Sequence, residues 1–165
     1  MKKKLKTEVI IGLFRLLNAA KCTKQDAGDK IKTWKILRAL KPTADKFDDD
    51  VKTSGEKLKP EGYDDLLKEA QKIENDERKD FGDIDTPQRE QEFVRMLTEK
   101  YEAYAKFQDA HRDFTKLCSE ALKEFTQKEV EVKFEPLSED AFGKLMASND
   151  WTMQQIGFLA DNICQ

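Results

Sequence analysis

Turn formers are scarce in this chain, with seven glycines and four prolines among 165 residues. An all-β sandwich or barrel needs many more chain reversals, so that class is disfavoured. Three cysteines and one histidine leave no ligand to spare for a zinc site built from those residues, which nearly excludes one. Cys22, Cys118 and Cys164 are odd in number and far apart, which suits reduced thiols rather than a disulfide framework. A surplus of one charge is also lacking: 30 Lys and Arg stand against 33 Asp and Glu, a net charge of −3. Binding nucleic acid in general requires a cationic excess on one face. Only Lys2, Lys3, Lys4 and Lys6 cluster in that way, so no nucleic-acid partner is expected. Long apolar runs are missing as well. Val9–Phe14 gives six clean residues between Glu8 and Arg15, far from the roughly twenty that a membrane span needs. Lys21 stands where a lipoprotein cleavage box requires a small residue, so neither secretion nor a membrane partner is expected.

What the chain does have is charge and aromatic bulk. Charged and apolar residues each make up 38%, and ten Phe, two Trp and three Tyr supply volume for a core. The length suits one domain, residues 1–165. Met1, Lys3 and Leu5 alternate with Lys2, Lys4 and Lys6, predicting a short strand. Val130, Val132 and Phe134 alternate in the same way with Glu129, Glu131 and Lys133, and Pro136 closes that segment. Opposite charges and matching alternation predict that the two pair in a small antiparallel sheet.

The remaining pattern is helical. Val9, Ile10, Leu13, Phe14 and Leu17 keep three-four spacing, with Thr7 as the expected cap. Ala27, Ile31, Trp34, Leu37, Leu40, Ala44 and Phe47 continue in one phase across Pro42, predicting one kinked helix over 24–58 that starts at the Thr23–Asp26 signal. Tyr63, Leu66, Leu67, Ala70 and Ile73 mark a shorter helix, and the polar stretch 74–85 reads as a loop. Thr86-Pro87 is an N-cap followed by an N1 proline. From Phe93 and Leu97 a heptad-like seam runs through Tyr104, Phe107, His111, Phe114, Cys118, Ala121 and Phe125. Ser138 is expected to cap one helix near the C-terminus. Thr152 and Gln155 form a capping box for another. The predicted fold is mainly α: a long antiparallel helical hairpin, 24–58 against 87–127, with shorter flanking helices and a two-stranded antiparallel sheet.

Chemical motifs are few. Asp80-Phe81-Gly82 and His111-Arg112-Asp113 resemble kinase strings. They stand in reversed order, without a glycine-rich loop, in a chain far too short for a kinase. Asp80, Asp83 and Asp85 fail the spacing of a calcium loop, because Pro87 and Gln88 occupy its fifth and sixth positions. Walker, G-x-S-x-G, H-E-x-x-H and C-x-x-C motifs are missing. No catalytic residue, metal ligand or cofactor site is therefore assigned, and a non-enzymatic protein is expected. His111 lies on the seam, where a polar residue fixes helix register or partner choice. A seam of about 60 Å at 1.5 Å per residue outruns its companions, leaving Tyr104, Phe107, His111 and Phe114 as the candidate interaction residues.

The order of elements carries a resemblance. A basic strand opens into a helix, and the stretches Arg38-Ala39-Leu40-Lys41-Pro42 and Glu56-Lys57-Leu58-Lys59-Pro60 follow. A long helix comes next, and then the Glu129–Pro136 strand leads into Leu137-Ser138-Glu139-Asp140-Ala141-Phe142. In this the chain resembles small uncharacterised proteins encoded by tailed phages and prophages of gut bacteria. The likeness implies a phage origin and a non-enzymatic accessory role. The function expected beside it is protein–protein contact through the long helices, as in virion assembly, with antagonism of a host defence or regulatory system, including nucleotide sequestration, as the alternative and an enzyme with an unrecognised site as a third. The expected setting is the host cytoplasm or the virion, and the expected partner is a protein, a second copy of the chain included.

Overall fold

The computed structural model describes residues 2–164. They are 75% helical, with seven helices and one two-stranded antiparallel sheet. The fold is mainly α, as the periodicity predicts. The chain forms two compact units, one holding the residues up to Lys52 and those from Leu122 onward, the other Thr53–Ala121.

The first unit opens with β1 (Lys2–Lys6), which pairs antiparallel with β2 (Glu129–Lys133). Lys4 lies opposite Glu131, Lys6 opposite Glu129, and Leu5 opposite Val130, the register expected from charge and alternation. Lys2 Nζ reaches Glu131 at 3.1 Å. Both groups are exposed, and a pair of that kind contributes well under about 1 kcal/mol. Burial of Leu5 and Val132 in the core below is the larger stabilisation. Helix α1 (Thr7–Asn18) follows at once. Thr7 is not its cap but its first helical residue. The Thr7 hydroxyl and backbone N–H both donate to the Lys128 carbonyl at 2.8 Å, fastening the helix to the residue before β2.

Helix α2 (Ala27–Leu58) runs through Pro42 as a single helix. It starts later than Thr23 suggests, because Asp26 is the residue whose carboxylate accepts the Asp29 N–H, at 2.9 Å. Its buried stripe is Thr33, Ile36, Leu40 and Ala44, rotated away from the expected line of Ile31 and Trp34. Thr33 can be buried because Gln25, itself buried, donates from Nε2 to the Thr33 hydroxyl and to the Ala141 carbonyl, each at 3.1 Å. A hydrogen-bonded threonine fills a core position that hydrophobicity alone assigns to its neighbour.

Two short helices, α6 (Glu139–Met146) and α7 (Met153–Ile163), complete this unit. Their caps are the predicted ones. The Ser138 hydroxyl accepts the Ala141 N–H, and Thr152 with Gln155 closes a capping box. The Leu137 N–H donates to the Ile163 carbonyl at 2.8 Å. The core so assembled is mainly aliphatic: Ile10, Leu13, Ile36, Leu40, Leu137, Leu145, Leu159 and Ile163 are fully buried.

The second unit holds α3 (Tyr63–Phe81), α4 (Pro87–Lys100) and most of α5 (Glu102–Gln127). Helix α3 runs eight residues past Ile73, through a stretch expected to be loop. Glu74, Glu77, Arg78 and Lys79 are good helix formers, and Glu74 and Glu77 accept hydrogen bonds from tyrosines of the neighbouring segment. The real loop is Gly82–Thr86, opened by Gly82 at φ 88°, a backbone conformation that favours glycine. Thr86 caps α4 as predicted, its hydroxyl accepting the Arg89 N–H at 3.2 Å. The expected continuous helix over 87–127 is broken at Tyr101, which takes the extended values φ −124° and ψ 114°. The Tyr101 hydroxyl and the Lys100 ammonium both bond Glu77 of α3, which fixes the residue at the break.

Buried apolar residues therefore fall into two clusters rather than one long seam. Ile36 and Leu40 of α2 belong to the first. Tyr63, Ala70, Phe93, Leu97, Tyr104 and Phe107 form the second.

Candidate interaction surface

The aromatic residues expected to meet a partner lie in the second unit. Tyr104 and Phe107 are buried there, so their rings are spent on the core and are not available to another molecule. Phe114 is half-buried with its ring 5.1 Å from that of Tyr63. His111 is exposed rather than buried in a seam. Its Nδ1 lies 2.6 Å from the Tyr63 hydroxyl, and its ring stacks on Phe107 at 5.5 Å. The structure thus brings Phe107, His111 and Phe114 around Tyr63, but as a satisfied intramolecular cluster. Of the seven seam positions from Tyr104 to Phe125, only the first two are buried.

Polar anchors surround this core. The Tyr104 hydroxyl donates to Glu74 at 2.8 Å. Burial, and after it the Glu74 carboxylate, pushes the Tyr104 phenol well above its ordinary value. The Lys100 ammonium, with the Tyr101 hydroxyl next, holds the Glu77 carboxyl below its usual range. Arg89 covers the Phe81 ring at 4.4 Å while its guanidinium donates to the Phe81 carbonyl. These charges have their partners within the unit.

The first unit presents two surfaces that do not. On the outer face of α2, Ile31 and Trp34 are 54% and 53% exposed, although the sequence pattern places both in the core. The Arg38 guanidinium lies 5.2 Å from the Trp34 ring centroid, and Lys41 lies 5.9 Å from that of Phe14. Between the two rings is a shallow recess of about 310 Å³, lined also by Asn18 and Leu37. Lys30, Lys32, Lys35, Arg38 and Lys41 fall between Asp29 and Asp45 with no carboxylate among them. Lys32 pairs with Glu135 and Lys41 with Asp45. Among the described residues Lys30, Lys35 and Arg38 have no ion-pair partner.

The second surface is a groove of about 980 Å³ beside the later turns of α2. Pro42, Phe47, Phe125 and Val130 supply its apolar lining, and Asp50, Glu124, Glu129 and Glu131 stand against Lys46 and Lys128. Lys46 pairs with Asp50 at 2.7 Å and Glu131 with Lys2. Among the described residues Glu124 and Glu129 have no ion-pair partner. Sequence reading missed both surfaces. Their one signal was the acid-free run of five cations from Lys30 to Lys41.

Other groupings are internally satisfied. Lys144 contacts Asp140, Asp29 and Asp26 at 2.6, 3.2 and 3.3 Å, and these bonds, Asp140 first, hold its ammonium above its ordinary value. Cys22 and Cys164 are half-buried free thiols pushed up by burial, the condition of an unreactive cysteine. Among the described residues no three His, Cys, Asp or Glu side chains are grouped to hold a metal, and no helix is long and apolar enough to cross a membrane. Neither the family models nor the curated proteins nor the solved structures give a match to this chain.

Proposed function

We infer that the chain is a non-enzymatic accessory protein of phage or prophage type that works through protein–protein contacts of its helices. The observation that carries this reading is Trp34. A tryptophan left half exposed beside Ile31, with a guanidinium over its ring and further unpaired cations alongside, costs solubility and contributes little to the fold. Trp and Arg are also the residues most often found at the energetic centre of protein interfaces. The element order that resembles phage-encoded proteins supplies the biological setting, in the host cell or on the virion.

The test is affinity purification of the tagged chain from phage-infected cells, followed by mass spectrometry, beside a Trp34→Ala/Arg38→Glu variant of unchanged helical content. A protein retained by the parent and lost from the variant is the expected result. Equal retention by both contradicts the reading, as does retention of no protein by either when the purified parent is also a monomer in solution.

A further inference from the structure

We propose that the protein partner of the Trp34 patch is a second copy of this chain, whose acid-rimmed groove receives it. This deepens the reading given above and rests on it. The two surfaces are complementary in sign and character. The patch offers an exposed indole, Ile31 and the unpaired cations Lys30, Lys35 and Arg38. The groove offers the Phe47 and Phe125 rings inside a rim with four carboxylates against two ammoniums, Glu124 and Glu129 being without an ion-pair partner among the described residues. A space of about 980 Å³ is of the size that holds a bulky ligand, so an indole with its neighbouring isoleucine fits.

The geometry of α2 decides what kind of contact follows. Trp34 and Phe47 stand on one helix thirteen residues apart, which at about 100° per residue places them roughly 140° apart around its axis. One copy therefore presents patch and groove in different directions. Because the two face apart, a pair of copies cannot seat both patches in both grooves at once; the contact is heterologous, each copy that docks leaves one patch and one groove open, and assembly proceeds as a ring or a row. The cations and carboxylates bring the surfaces together and set the register, and the buried indole holds them.

Sedimentation velocity of the whole chain, at micromolar concentration and low ionic strength, tests this with two variants. The patch variant is Trp34→Ala/Arg38→Glu. The groove variant is Glu124→Lys/Glu129→Lys, with Phe47→Lys as a second groove variant, since Glu129 faces Lys6 across the sheet. The parent is expected to sediment as species heavier than 19.1 kDa that dissociate at about 0.5 M salt. Each variant alone is expected to be a monomer. An equimolar mixture of patch variant and groove variant restores one good contact and gives a dimer containing one of each, with nothing larger.

A monomeric parent, assembly by the patch variant alone, or a mixture that stays monomeric overturns the proposal. Anionic vesicles of phosphatidylserine and a single-stranded oligonucleotide serve as alternative occupants. Binding of either by a monomeric parent, lost in the patch variant, also overturns it. A monomeric parent that still retains a foreign protein through Trp34 removes the second copy as partner and leaves the protein-contact reading standing. Patch-dependent assembly with no foreign protein retained supports the second copy as the partner.

Discussion

The two units bury apolar surface by different chemistry. In the first, aliphatic side chains from two strands and four helices meet with no exposed atoms at Ile10, Leu13, Leu40, Leu145 and Leu159. In the second, rings dominate, and all three tyrosines of the chain are found there. A phenol brings a hydroxyl into or beside the core, and that hydroxyl needs a partner. Tyr63, Tyr101 and Tyr104 find theirs in His111, Glu77 and Glu74. An aliphatic core is specified by volume. An aromatic core of this kind is specified by direction as well, because each ring must deliver its hydroxyl to one polar partner.

The largest effects should come from volume. Leu159→Ala in the first unit and Leu97→Ala in the second each remove a fully buried side chain and should each cost about 3 kcal/mol, measured by denaturant unfolding. Equal costs would leave the contrast to the polar groups. A loss under about 1 kcal/mol at either site would mean that its surroundings collapse to fill the space.

Next comes the hydroxyl effect, which should separate the units. Tyr104→Phe keeps the ring and strands the Glu74 carboxylate, at a cost of about 1.5 kcal/mol. No aliphatic position of the first unit has an equivalent change. The sign with pH follows from the raised phenol. Its contribution is complete below its ordinary value of 10 and is lost as pH rises above it, because the unfolded chain releases the proton more readily than the folded one. Thermal melts should therefore show a smaller alkaline loss in the Tyr104→Phe variant than in the parent. Identical slopes would mean that the phenol is not coupled to folding.

Three helix caps were legible because their signal is local: Thr86-Pro87, Ser138 and the Thr152/Gln155 pair each satisfy backbone N–H groups within three residues. The expected cap Thr7 was not, because its hydroxyl is drawn to the Lys128 carbonyl far along the chain. The small sheet was legible because alternation and opposite charge agreed on one register. The face of α2 was not. Residues 31, 34, 37 and 40 and residues 33, 36, 40 and 44 both keep three-four spacing, and Gln25 tips the choice by bonding Thr33 from outside the helix. The extent of α3 and the break at Tyr101 share one cause. Glu77 of a polar stretch is held by Tyr101 and Lys100, twenty-odd residues away in sequence. The burial of Tyr104 and Phe107 was hidden for a related reason, since a seam read from spacing says that rings gather but not whether their own chain already covers them.

Smaller effects complete the order. Thr86→Ala removes the cap of α4 and should cost about 1 kcal/mol, read from the unfolding midpoint. Trp34→Ala should change stability by less than about 0.5 kcal/mol, since the ring is half exposed and lies outside the core. A large loss there would make Trp34 a structural residue and remove the observation on which the functional reading rests.

The separateness of the two cores is tested most directly by amide hydrogen exchange, followed segment by segment in the Leu97→Ala and Leu159→Ala variants. Leu97→Ala should lower protection in Tyr63–Phe81 and Pro87–Lys100 while leaving Glu129–Lys133, Glu139–Met146 and Met153–Ile163 near their parental values. Leu159→Ala should do the reverse. Uniform loss of protection throughout the chain in both variants would contradict the account and show a single core, as the heptad spacing alone had implied.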